Sequence, residues 1–274
     1  MALDNRYPTP PLVLPVMLQR WHEICFFHWS CDPTRLQQRL PQGLQIDTFD
    51  GKGWISLTPF LLTGLRPPLI PHVFGLVFPE MNLRTYVLGP KGPGIWFFSL
   101  DAARLIAVLG ARAAYGLPYY WSDMDVDIGS GENQYFSNRG GRAHAKIRIA
   151  KGPRIEQQST LEKFLTARFR LYSVYRRRLI TAAVGHAPWQ LHQVRVMELE
   201  ENVRQAMHVQ FPSTDFLAHY SPGVDTKIGR PTWTAISSKA SPRSQYRPDA
   251  AAFYRLRQCA GARDKCAHAQ ILRA

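Results

Sequence analysis

Apolar and polar residues alternate in short runs along this chain, and Gly, Pro, Asn and Asp punctuate the runs. Gln19 to Trp29 is dense in aromatics and predicts a strand. Asp32-Pro33 predicts a short helix over Thr34 to Leu40, with Asp32 as N-cap and Pro33 at the first helical position, ended by Pro41 and Gly43. Leu44 to Phe49 alternates, Asp50-Gly51 is a hairpin signal, and Trp54 to Phe60 returns as the partner strand. A Pro-rich loop carrying Arg66, Pro67, Pro68, Pro71 and Pro79 leads to strands over Asn82 to Leu88 and Ile95 to Leu100. An Ala/Leu/Ile/Val-rich segment then suits a short helix. Met124 to Ile128 and Ala143 to Ile149 alternate on either side of Gln134 to Ser137. Residues 160–170 predict a helix, and Leu171 to Ile180 continues with Tyr172 and Tyr175 among arginines. Leu191 to Leu199 alternates, Glu200 to Met207 predicts a short helix, and His208 to Phe211 a strand. Ser221-Pro222-Gly223 closes the ordered pattern.

Many short strands with Gly/Pro turns, and no regular strand–helix alternation, predict a mainly β (α+β) fold. The expected architecture is an antiparallel sheet or barrel with a few peripheral helices. The stretch Ala111 to Met124 stands at its centre. It turns at Gly116 and Pro118 and presents Tyr119 and Tyr120 side by side. Neighbouring side chains on extended backbone point to opposite faces, so one tyrosine can face a cavity while the other packs behind it.

At 274 residues and 45% hydrophobic, the chain can bury a sizeable core. The expected organisation is an extended Pro-rich arm over 1–17, one domain over 18–230, and a basic, poorly ordered extension over 231–274. The formal charge of +14 suggests an acidic partner, but the last segment inflates it: Lys239, Arg243, Arg247, Arg255, Arg257, Arg263, Lys265 and Arg273 face only Asp249 and Asp264. Cys25, Cys31, Cys259 and Cys266 make no disulfide framework, and Cys25 and Cys31 read as reduced thiols in or near the core. The N-terminus lacks the order of a secretory signal and no apolar run is long enough for a membrane span, so a cytoplasmic protein is expected.

Glu80, Asn82, Arg84 and Tyr86 alternate and so share one strand face. In a cavity, Arg84 would take a carboxylate or enol oxygen and Glu80 would act as base; the same residues equally fit a structural Glu80–Arg84 ion pair at a barrel rim. Tyr119 and Tyr120 are candidate hydrogen-bond donors to a substrate oxygen, or else core phenols satisfied by backbone. The candidate catalytic residues are therefore Glu80, Tyr119 and Tyr120, and the candidate ligand-binding residues Arg84, Asn82, Tyr86 and Trp29. Trp21, His22, His28 and Trp29 crowd one strand, where histidines more often serve the core than a metal. Cys259, Cys266 and His268 lack zinc spacing. Neither metal nor cofactor is expected.

Arg168, Arg170, Arg176, Arg177 and Arg178, with Tyr172 and Tyr175, fit either a solvated strand edge or a nucleic-acid surface. The partner expected is a small molecule. The alternative is a basic protein without enzymatic activity, associated with nucleic acid or a membrane surface. A homo-oligomer is compatible with either.

Several segments resemble the YqjF-like family, a domain of unknown function that is similar in fold to acetoacetate decarboxylase. They are His28-Trp29, Leu40-Pro41 through Leu44, Asp47 to Gly51, Trp54, Glu80 to Val87, Phe97 to Ala102, Ala111-Arg112, Gly116 to Tyr120 and His186 to Trp189, together spanning about residues 18–230. The resemblance implies a cone-like, mostly antiparallel β-barrel around a cavity. Acetoacetate decarboxylases carry a Schiff-base lysine in a Gly-aromatic-Pro-Lys-Lys turn; the turn here is Gly116-Leu117-Pro118-Tyr119-Tyr120. A phenol cannot condense with a ketone, so the resemblance implies a non-imine activity or simple binding. It also makes Glu80 the match to the decarboxylases' cavity glutamate.

Overall fold

Asp32 caps the first helix through its carboxylate, which accepts from the Thr34 amide at 2.8 Å, and that helix ends early, at Gln37. The computed structural model describes residue 12 and residues 14–209 and 215–235, and strands dominate them. β1 (Pro15–Cys31) is followed by α1 (Pro33–Gln37) and β2 (Gln45–Ile46). The predicted strand over Leu44 to Phe49 shrinks to these two paired residues; Asp47 still donates its amide to the Tyr86 carbonyl at 2.9 Å, and Phe49 already bridges Lys52 across the turn. Asp50 and Gly51, both at positive φ, make that turn. β3 (Gly53–Arg66), β4 (Leu76–Gly89) and β5 (Gly92–Ala102) form a meander, with a short 3-10 turn over His72–Phe74 between the first two.

α2 (Leu105–Tyr115) stops at Gly116, which is left-handed at φ 60° and where a Cβ would meet Tyr175 at 2.7 Å. β6 (Tyr119–Trp121), β7 (Asp123–Ile128), β8 (Glu132–Asn138) and β9 (His144–Arg154) follow. α3 (Thr160–Thr166) carries a capping box between Ser159 and Glu162. The run predicted as one segment over 171–180 is a hairpin of β10 (Arg170–Tyr175) and β11 (Arg178–His186), turned by Arg176 and Arg177 at positive φ. β12 (His192–Glu201) and α4 (Val203–Ala206) precede β13 (Leu217–Gly229) and β14 (Thr232–Ala235).

Strands β11–β10–β5–β4–β3–β1–β13 are hydrogen-bonded in that order, and β13 pairs back onto β11, closing a cone-like ring. The pairs are antiparallel except β5–β10 and β5–β6. The hairpin β10–β11 joins its neighbours by short ladders: two rungs to β5 and three to β13. β12, β9, β8 and β7 continue from β13 as a second layer. The main core lies between the ring's outer face and this layer, where Phe27, Leu57 and Leu83 meet Tyr135, Ile147 and Ile149. Burying each of these large side chains contributes about 1.5–3 kcal/mol.

One prediction needs correction. The ordered pattern does not close at Ser221-Pro222-Gly223: β13 runs through it and β14 extends the sheet beyond residue 230. Pro222 falls at a rung that the β1–β13 register skips, between His22↔Gly223 and Ile24↔Ser221, so its missing donor costs no ladder bond. Opposite it, Glu23 sits at φ 49° and the β1–β3 register shifts by one residue. This bulge flips the side-chain parity of β1. Met17, Gln19 and Trp21 face the ring interior before it, and Ile24 after it.

Cys25 and Cys31 are free thiols. Among the described residues no helix is long and apolar enough to cross a membrane, and no cluster of three or more metal-ligating side chains occurs. The predicted strand at Phe211, most of the N-terminal arm, and Cys259, Cys266 and His268 lie outside the described residues.

Candidate functional site

The ring encloses a cavity of about 530 Å³, walled by side chains from β1, β3, β4, β5, β10, β11 and β13 and covered on one side by α2. Most of the wall is aliphatic or aromatic. Polar groups converge on it from β4 and β6. β4 pairs with β3 without a shift from Glu80 to Thr85, which keeps Glu80, Asn82 and Arg84 on the interior face. β6 pairs in parallel with β5, setting Tyr119 beside Leu100 and Tyr120 beside Asp101.

The Tyr119 hydroxyl donates to Glu80 Oε2 at 3.0 Å. Arg112 of α2 donates through Nε to the Tyr119 carbonyl at 2.7 Å, so the helix fixes the tyrosine's backbone. Burial pushes the Glu80 carboxyl up to about 8; the Tyr119 hydrogen bond opposes this and the Asp101 carboxylate adds to it. Glu80 therefore holds its proton at neutral pH yet can release it within reach of that range. Burial and the neighbouring Glu80 carboxylate push the Tyr119 phenol well above its ordinary value, so it stays a donor.

Arg84 is buried, with its guanidinium carbon 5.5 Å from the Phe26 ring centroid, and its Nε has no hydrogen-bond partner. Among the described residues no carboxylate pairs with it. A rim ion pair between Glu80 and Arg84 is thus not formed. Burial lowers the Arg84 pKa from its ordinary value, the direction expected of a cation held away from water. Thr58 donates its hydroxyl to Asn82 Oδ1, orienting the amide at the wall. Arg168 and His186 also line the cavity; Arg168 is bound to Asp47 at 2.6 Å, and His186 Nδ1 donates to the Ala187 carbonyl at 2.7 Å.

The remaining candidates stand elsewhere. Tyr120 lies against Arg139, whose guanidinium is 3.7 Å from its ring centroid and pairs with the buried Asp101 at 2.7 Å. Tyr86 shares the Glu80 face, but Phe164 of α3 and Arg168 cover it, and its hydroxyl joins Ser56 at 2.6 Å. Trp29 packs in the core on the outer side of the ring, beneath the Arg204 guanidinium at 3.9 Å, because the Glu23 bulge inverts its parity relative to Trp21. The arginine run is split: Arg168 and Arg170 turn to the cavity, whereas Arg176 and Arg177 form the exposed hairpin tip. It makes no single basic face. Sequence reading set Arg168 on a basic strand edge or nucleic-acid surface and missed its place at the cavity, which depends on Asp47 far back in the chain, as well as the α2 face.

The DUF2071 family, described as an uncharacterized conserved protein, matches residues 18–225. The chain is 38% identical over 211 residues to the uncharacterized protein YqjF of Bacillus subtilis (strain 168), an alignment spanning 75% of this chain and 87% of that protein. In fold it is similar to the enduracididine biosynthesis enzyme MppR complexed with pyruvate, with TM-score 0.59 at 11% identity, covering 84% of this chain and 94% of that one. It is also similar to acetoacetate decarboxylase from Legionella pneumophila subsp. pneumophila str. Philadelphia 1, with TM-score 0.58 at 14% identity, covering 85% and 94%. An acetoacetate decarboxylase-like enzyme from Sphingomonas wittichii RW1 gives 0.57 at 13% identity, covering 86% and 100%. The shared architecture is that of the acetoacetate-decarboxylase-like proteins, and by the match over most of its length the chain is a member of the DUF2071 family.

Proposed function

We propose that this protein binds a small oxo- or carboxylate-containing molecule in the ring cavity by a route that involves no imine. The observation that carries this reading is the Tyr119–Glu80 hydrogen bond at 3.0 Å in a cavity that also holds Arg84 with no carboxylate partner. Arg84 takes the ligand carboxylate in place of a protein anion. The protonated Glu80, its Oε2 held by the Tyr119 phenol, gives its proton to the oxo oxygen, and the carboxylate so formed accepts a proton from the neighbouring carbon, leaving the enol. A structural neighbour crystallised with pyruvate supports the size class. The described residues that line the cavity include no lysine, so no amine stands ready for condensation.

The test is thermal stabilisation by pyruvate, which carries both groups in one small frame. Millimolar pyruvate should raise the melting temperature in proportion to its occupancy, and Arg84→Met should abolish the rise. Borohydride added to the mixture should trap no adduct. Absence of stabilisation, or a trapped adduct of the wild-type chain, would overturn the proposal.

A further inference from the structure

The cavity is far larger and more apolar than a three-carbon oxo acid requires. About 530 Å³ is a volume that encloses a drug-sized ligand. Arg84, Glu80 and Asn82 of β4 and Tyr119 of β6 form one polar group; Arg66, Arg168, Arg170 and His186 stand elsewhere on the wall, and much of what lies between is hydrocarbon, including Phe60, Leu62, Phe78, Phe97 and Leu171.

The α2 helix supplies a second observation. Ile106, Ala107, Gly110, Ala111 and Ala114 face the cavity at the spacing of one helical face, and all but the first are small. A Cβ built on Gly110 meets nothing within 4 Å. Ile106, Gly110 and Ala114 are exposed, so this face borders the mouth of the cavity, and no protein atom fills the space beside Gly110 there. At the mouth the apolar character continues outward: the lining residues Ile70, Phe74 and Ile106 are 41%, 71% and 69% exposed. A site for a small polar metabolite alone has no use for that much apolar wall.

Resting on the carboxylate reading above, we infer that the ligand is amphipathic: a monocarboxylate or oxo acid with a medium-length alkyl chain. Its head lies at Arg84, Tyr119 and Glu80, and its chain runs along the small-residue face of α2 toward the rim formed by Phe74 and Ile106. The head provides orientation and the chain most of the affinity.

The test uses the full chain and the saturated straight-chain series acetate, butyrate, hexanoate, octanoate, decanoate and myristate below their micellar concentrations. Binding is read by calorimetry. Affinity should rise about fourfold for each added methylene that meets the wall, then level off when the cavity is filled. Gly110→Phe places a ring in the open space and should make the levelling-off occur at a shorter chain. Arg84→Met should weaken every member of the series about equally. Short carboxylates that bind with no gain on lengthening would overturn the inference and leave the carboxylate site standing. Failure of every member to bind would overturn both. A chain-length gain that Arg84→Met does not weaken, or a limit that Gly110→Phe does not move, would show adsorption elsewhere and overturn the inference.

Discussion

Glu80 and Tyr119 lie on different strands, β4 and β6, and meet inside the ring with the phenol donating to the carboxyl at 3.0 Å. Neither strand neighbours the other in the sheet; β5 lies between them. The contact therefore reports the curvature of the ring.

That relationship makes the protein's stability depend on pH in a stated direction. Glu80 keeps its proton in the fold up to about 8, against an ordinary value of 4.5. Between those limits the unfolded chain binds fewer protons, so stability falls as pH rises from 4.5 through 8 and then levels off. Glu80→Gln removes the titration. Its melting temperature should gain on the wild type as pH increases, by an amount equivalent to a few kcal/mol at pH 9, roughly 1.4 kcal/mol per unit of pKa. A constant difference between pH 5 and pH 9 would rule out a neutral Glu80.

The two adjacent tyrosines should separate cleanly. Tyr119→Phe removes a donor from the cavity and should weaken pyruvate binding about fivefold to tenfold, the worth of one hydrogen bond. Tyr120→Phe keeps the ring beneath Arg139 and removes only a hydroxyl outside the cavity wall, so binding should be unchanged. Calorimetry on both variants decides the matter. Equal effects, or the opposite order, would contradict the assignment of faces.

Gly223 should be intolerant of any side chain. Its φ is 122°, and a Cβ there would stand 1.9 Å from the Trp21 carbonyl oxygen. Gly223→Ala should cost at least about 2 kcal/mol, from the strained backbone together with the forced separation of β1 and β13. Chemical denaturation measures it. A neutral substitution would mean that the two strands are not creased together.

Local rules were enough to read most strands and both side-chain helix caps are of kinds the sequence advertises, Asp32-Pro33 plainly so. The shared face of Glu80, Asn82 and Arg84 was legible because β4 keeps an unbroken register with β3 across those residues. Trp29 was not, because alternation counted from Trp21 fails when one extra residue enters the strand, and Glu23 carries no mark of a bulge without its partner Pro222-Gly223. Tyr86 lies on the correct face, but α3 arrives from much later in the chain to cover it. Pro222 suggested an ending for the same reason that it sits at the bulge: it cannot donate. What escaped the sequence in each case was a contact between distant segments.

The β10–β11 hairpin holds its place in the ring by two rungs on one side and three on the other, helped by the Tyr172 hydroxyl, which donates to the Gly92 carbonyl at 2.8 Å. Weakly laddered segments loosen at lower free energy than the whole molecule. This hairpin is thus a loose stave in an otherwise well-hooped vessel. Were the proposed ligand bulky, the side formed by Leu171 and Val184 would yield before the β1–β3–β4 staves, and Arg84, Glu80 and Asn82 would keep their geometry.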